Sequence, residues 1–244
     1  MAVQTGVTLK VLINQFDVTG YFRKMDLNGQ TSMYDSTVFG STSKAFIPGL
    51  RSGTISVEGL FEDIGTLNAP DNVFAAIEAS ATVPLVSIAP VGLTLGNRVY
   101  LLQAHENKHD IGAQIDALIL NKADFTDNDG YDFGVSLHAL SAETSLPYTG
   151  TATDNGAATS NGGVAFLHVS AIAGASPNAV IKIQHAAVST YADLVTFSAV
   201  TALTNGFQRV VVALGTTVNR NLRATITEGG TTSSITPSIS FARR

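Results

Sequence analysis

Cysteine is absent from this chain of 244 residues. That excludes a disulfide framework and any thiolate metal site. Charge is scarce: 14% of residues are Asp, Glu, Lys or Arg, against 45% hydrophobic, so a sizeable core is affordable. No apolar run reaches the length of a membrane span. Residues 1–10, "MAVQTGVTLK", have neither the basic start nor the apolar stretch of a secretory leader. No Asn-x-Ser/Thr acceptor occurs either. These absences point to a protein made and folded in a cytoplasm and not held in a membrane.

What is abundant is Gly, Thr, Ser and Ala, a composition that suits β-structure with many turns. The length allows one large β domain or two small ones. The charge is uneven. Residues 1–146 hold 16 acidic and 8 basic residues, whereas 147–244 hold 3 and 6. An acidic first part is poorly suited to gripping nucleic acid, which needs Lys and Arg at the phosphates.

The composition changes at 147–163, "PYTGTATDNGAATSNGG", which has no periodicity and reads as a linker. The predicted organisation is therefore a β domain over 1–146, a linker, and a small jelly-roll or Ig-like β-sandwich over 164–244. In the first part, residues 7–13, 54–60, 84–88 and 98–102 read as strands. Ile55, Val57 and Gly59 alternate with Thr54, Ser56 and Glu58, as in a half-buried strand. Residues 111–120 and 131–140 read as a pair joined by the loop "NKADFTDNDG". One helix is predicted in "NAPDNVFAAIEAS", with Asn68 as cap, Pro70 in the first turn and Val73, Phe74 and Ile77 on one face. In the second part, strands are predicted at 164–172, 180–185, 194–197, 208–214, 221–227 and 234–241.

Few motifs suggest chemistry. "HENKH", His105 to His109, matches the H-E-x-x-H metalloprotease pattern, which requires a helix. The preceding "RVYLLQA" reads as a strand, Gly112 follows closely, and Lys108 stands between the histidines. A polar loop between strands is the expectation, with no metal. "DFTDNDGYD", residues 124–132, fails the EF-hand register, because Gly130 as the sixth position puts Phe125 first and Ser136 twelfth. His138, His168 and His185 lie in strand patterns and are expected to be packed or surface positions. Arg220 and Arg223 could take an anion or a sugar, yet arginines on a sandwich surface are ordinary. No catalytic residue, cofactor site or metal site is expected.

The stretch "FDVTGYFRKMDLNGQTSMYDSTVFGSTSKAFIPGLRSGTISVEGLFED" resembles the signature region of major tail tube proteins of tailed bacteriophages with long non-contractile tails. The resemblance rests on an acidic-x-Thr element at Asp35 to Thr37, then Ile47-Pro48-Gly49-Leu50 leading into an alternating strand, and later "GNRVYLL". It covers residues from about 10 to 145 of the numbered chain. It implies a tail-tube β-sandwich or barrel with one flanking helix and no enzymatic activity. It also implies self-assembly into hexameric rings stacked as a tube in the virion tail, built in the host bacterial cytoplasm. Tape measure and tail terminator proteins would be partners, and genomic DNA would pass through the lumen without specific binding. In that setting residues 28–46 are expected to be a long loop acting as an inter-subunit arm. Tyr34, Asp35, Thr37, Val38, Phe39 and Phe46 would belong to it, and Pro48 and Gly49 would form its rigid root. The residues 164–244 are similar to small modules appended to phage structural proteins, which leaves a carbohydrate- or cell-surface-binding virion protein as the alternative.

Overall fold

The computed structural model describes residues 6–62 and 69–244. The protein is mainly β, with antiparallel sheets and, among the described residues, one α-helix. No helix there is long and apolar enough to cross a membrane. We label the strands of four or more residues in chain order. They are β1 (Lys10–Ile13), β2 (Phe22–Asp35), β3 (Phe46–Leu60), β4 (Leu85–Ala89), β5 (Arg98–Gly112), β6 (Leu120–His138), β7 (Gly163–Ser176), β8 (Ala179–Ala186), β9 (Ala192–Thr196), β10 (Phe207–Val212), β11 (Asn221–Glu228) and β12 (Thr231–Arg243). The helix, α1, is Pro70–Glu78.

The chain forms two compact units. One takes in the described residues of Met1–Gly20, Leu85–Leu101 and Asp132–Arg244, and the other those of Tyr21–Pro84 and Leu102–Tyr131. The boundary falls within β5 and β6, not at 147–163. The predicted linker is tied into the first unit: Tyr148–Thr149 and Thr153–Asp154 are short strands paired with β11.

In the first unit β12 pairs with β7 along most of its length and with the end of β6, Ile239 opposite His138 and Ala242 opposite Gly134. β10 pairs with the other edge of β7. A second sheet is built from β9, β8 and β11. Leu167, Ile239 and Phe241 from the first sheet meet Ile181, Ile183, Ala224 and Ile226 from the second in one buried cluster, which makes this a β-sandwich. The alternate residues of β7 and β12 are also buried. Val164, Phe166 and Ala242 form a further cluster with Leu12 of β1, Leu85 and Ala89 of β4, and Val99 and Leu101 of β5. A sheet covered on both faces explains why "GVAFLHV" reads as a continuous apolar run. It also explains why the division at 147–163 fails, because strands from both ends of the chain share one core.

Buried histidines complete this unit. His168 accepts from the Ser87 hydroxyl at Nε2 (2.7 Å) and donates from Nδ1 to the Asn14 carbonyl (2.6 Å). Burial outweighs that backbone bond and pushes the imidazole down to about 4. His138 lies between backbone carbonyls and the Glu143 carboxylate.

In the second unit β2 and β3 form a hairpin with Phe22 opposite Gly59 and Asp35 opposite Phe46. β3 also pairs with β6 from Thr54 opposite Thr126 to Leu60 opposite Leu120. Ile55, Val57, Ala123 and Phe125 of this sheet are buried, and so are Val73, Phe74 and Ile77 of α1. Phe74 anchors the packing, its ring 6.3 Å from Phe22 and 6.0 Å from Phe125. Helix and face are as the sequence predicts. The flanking residue at the helix start is Ala69, with no side-chain cap, and Asn68 lies outside the described residues.

The strand β6 corrects a sequence reading. "NKADFTDNDG" is not a loop but part of one 19-residue strand, and the turn lies earlier, between β5 and β6. The acidic residues are accommodated because Lys122 and Asp124 alternate outward while Asn121, Ala123 and Phe125 point inward.

Two outcomes follow. A chain ending at Leu146 loses β7 to β12, and with them several large buried side chains worth about 1.5–3 kcal/mol each, against a typical total stability of about 5–15 kcal/mol. It is expected to be insoluble, and a soluble product with a cooperative melt by circular dichroism would contradict the shared core. For His168, the folded value lies below the unfolded one of 6.5. Protons therefore bind the unfolded chain preferentially, and stability is lost as pH falls from about 6.5 to about 4, by up to about 3 kcal/mol. Urea midpoints at pH 7 and 4.5 should show this loss, reduced in His168→Gln.

Candidate functional site

The most unusual surface is the far part of the β2–β3 hairpin. β3 has a second partner only from Thr54 onward. Beyond that point residues 28–35 and 46–53 form a two-stranded ribbon, about 25 Å long at ~3.3 Å per residue. Such a ribbon is marginal in water when nothing covers it. This one carries exposed apolar side chains on both strands: Met33, Tyr34, Phe46, Ile47 and Leu50, with Val38 and Phe39 in the connecting loop. Phe39 is wholly exposed.

Residues 28–46 are therefore not one long loop. The strand extends to Asp35, and only residues 36–45 connect the two strands. Asn28, Gly29 and Gln30 hide this strand from a polarity reading, since a ribbon with two wet faces has no apolar alternation. The acidic-x-Thr element closes the tip. Thr37 donates its amide to Asp35 Oδ1 (2.9 Å), and its hydroxyl oxygen accepts from the Ala45 amide (3.0 Å). The Thr37 hydroxyl and amide together hold the Asp35 carboxyl below its usual value. Ser36 N donates to Ala45 O at 2.9 Å, and Gly40 takes a positive φ of 92°.

Pro48 and Gly49 are not a root. They lie within β3, Pro48 opposite Met33, beside a register shift between Thr31 and Met33. A proline fits there because this part of β3 has a ladder on one side only and the pairing is interrupted. Gly49 makes room: a Cβ at this position would come within 2.3 Å of the Tyr34 ring. The base of the ribbon is set elsewhere. Gly53 N donates to Asp127 Oδ1 (2.8 Å), and the Tyr131 ring covers Gly29 and Gly53. Sequence reasoning missed Asp127 and Tyr131, whose place depends on a pairing 74 residues long in sequence.

The second surface is the outer face of the same sheet. In register it carries Lys24, Glu58 and Lys122 in one row, and Asp26, Ser56 and Asp124 in the next. Lys24 pairs with Asp26 (2.8 Å), Lys122 with Glu58 (2.8 Å), and Lys108 with Asp110. Asn107 donates to Thr126 (2.7 Å). Lys122 holds the Glu58 carboxyl below its usual value. Every lysine of this face is thus neutralised by a neighbour of its own chain.

No protein-family model matches this chain, and no curated protein matches it in sequence. Solved structures similar to it include chains of a gene transfer agent particle and of two baseplates. A chain of the virion of a native gene transfer agent particle is 18% identical, with a TM-score of 0.43 over 54% of this chain and 98% of that one. A chain of the anti-feeding prophage baseplate, 6-fold symmetrised, is 13% identical, with a TM-score of 0.42 over 55% and 97%. A chain of the phage p2 baseplate in its activated conformation is 11% identical, with a TM-score of 0.34 over 97% and 98%.

The remaining motifs fall into structural roles. "HENKH" is not a loop; it lies in β5, where His105 is exposed and His109 packs edge-on against Phe74 at 5.2 Å. In the 124–132 stretch, Asp127 accepts from Gly53 and Asp132 pairs with Arg244. Arg220 pairs with Asp154. Arg223 lies 3.7 Å over the Tyr191 ring and donates to Gln184. His185 accepts from the Asn219 amide. The two arginines once eligible for a sugar are thereby held by their own chain.

The exposure of Phe39 has a direct consequence. Phe39→Ala should change the stability of the unassembled protein by no more than about 0.5 kcal/mol. Thermal denaturation in dilute solution checks this, and a large loss of stability would show that the ring packs within its own chain.

Proposed function

We propose that this protein is a structural subunit of a bacteriophage-type tail tube and performs no chemistry. The observation that carries the reading is the ribbon of residues 28–53, a two-stranded extension with a row of exposed apolar side chains. A second copy of the chain would supply the cover that its own fold lacks, so the ribbon orders an interface between subunits. The resemblance of the segment that contains it to tail tube proteins supports the same assignment. Rings of six copies, stacked into a tube with tape measure and terminator proteins as partners, are the finer form of this reading.

The outer face of the β2–β3–β6 sheet suits the wall of the channel. DNA that moves through a tube must not be held by it, and binding strength rises with each phosphate neutralised by a free cation. Here Lys24, Lys108 and Lys122 are each paired with Asp or Glu. The face presents acids, amides and hydroxyls between these pairs, as the acidic balance of residues 1–146 leads one to expect.

The test is to shorten the ribbon at its base. Residues 30–52 are replaced by Asn-Gly, which joins the facing Gly29 and Gly53 by a two-residue hairpin turn. The variant should melt as the parent does, and electron microscopy should show that tubes no longer form. Normal tubes from this folded variant would refute the arm. A reconstruction of the tube with a channel lined by unpaired Lys and Arg would refute the assignment of the wall.

A further inference from the structure

We propose that Glu78, Glu106 and His109 form a binding site for one divalent transition-metal ion of the zinc class. Glu78 ends α1, and Glu106 and His109 lie on β5. One donor atom from each comes within 4.8 Å of the others. Nothing in this set depends on the tail-tube reading.

The three side chains face one another. His109 Nε2 lies 3.0 Å from Asn121 Oδ1, a carbonyl oxygen that can only accept. In the neutral imidazole the Nε2 proton then points to Asn121, and Nδ1 keeps its lone pair. That lone pair faces Glu78 Oε1 across 3.9 Å. Both oxygens of Glu106 are closed to solvent, and neither accepts a hydrogen bond from the described residues. Two carboxyl groups and an imidazole thus converge on one small space. A buried carboxylate in that setting is costly unless a cation or a proton answers it.

The surroundings are those of a ligating histidine. A metal-bound imidazole nearly always donates its other N–H to a carbonyl or carboxylate, which fixes the tautomer and the ring orientation. Asn121, fully buried, takes that place, with Asp71 3.7 Å from the same nitrogen. The Phe74 ring holds the imidazole from the side. A cavity of about 170 Å³, lined by Glu78, Glu106 and His105 among others, lies beside the site. One imidazole nitrogen and two carboxylates suit zinc, whose bonds to such donors are about 2.0–2.2 Å. Glu78 is the exposed member and is free to swing in to that distance.

This is not the metalloprotease arrangement that "HENKH" suggests. His105 is outside the donor set, and Glu106 is a ligand, not a base. The ion would join the end of α1 to β5, and so would stabilise the folded chain in proportion to its occupancy.

The experiment is zinc chloride titration of the full chain after chelator treatment, read by calorimetry and by thermal melting. The parent should bind one zinc per chain and melt at a higher temperature with it. His105→Ala should do the same. Glu106→Gln, a neutral replacement of similar shape that leaves the fold intact, should bind no zinc and melt at the same temperature with and without it. Asn121→Ala should weaken binding by about 10–100-fold. Failure of the parent to bind stoichiometric zinc would overturn the site. So would a Glu106→Gln variant that titrates like the parent, or loss of binding in His105→Ala.

Discussion

The last strand, β12, is the element on which the first unit depends. It lies between β7 and the end of β6, so both of its edges are paired. Its alternate residues serve two different cores: Ile239 and Phe241 face the sandwich, while Ala242 faces the cluster with Leu12, Leu85 and Val99. A strand buried on both faces and paired on both edges cannot be removed without opening everything around it. The N-terminal strands β1 and β4 thereby become part of the same folding unit as the final residues of the chain.

The second unit follows a different rule. Its sheet buries one face under α1 through Phe74 and leaves the other to ion pairs and hydroxyls. Local stability should fall along the hairpin, from the three-stranded region around Ile55 and Phe125 to the two-stranded ribbon around Met33 and Pro48. Segments with few buried contacts open first, and they are the ones free to order against another molecule. The apolar side chains on the ribbon add little to their own fold and are placed to contribute to an interface. Gly29, Gly49 and Gly53 serve this geometry by admitting the rings of Tyr34 and Tyr131 over the backbone.

Electrostatics divide along the same lines. On the outer face, short ion pairs such as Lys122 with Glu58 are solvated, and their value is in cancelling charge more than in adding stability. Near the helix end, by contrast, Glu106 is withdrawn from water with no partner of opposite charge. Two carboxyl groups and an imidazole meet there on one small patch.

Strands were legible where one face or both are buried. "TISVEGL" alternates, "GVAFLHV" is continuously apolar, and α1 shows a helical stripe, because burial imposes those periods on the residues. The candidate arm was legible as a place, through Tyr34, Phe39 and the Asp35-x-Thr37 element, but not as a ribbon, because strands with two wet faces carry no period. The acidic 121–130 stretch was misread for a related reason: Asp124, Asn128 and Asp129 stay outside the core, on a strand that its neighbours hold. The partners of β12, the boundary within β5 and β6, the packing of Tyr131 on Gly29 and the meeting of Glu78 with Glu106 and His109 were decided by tertiary structure alone. Sequence determines which residues prefer to be buried and with what local period. Which strand pairs with which, across a hundred residues or more, depends on long-range registry and shared cores that no local pattern encodes.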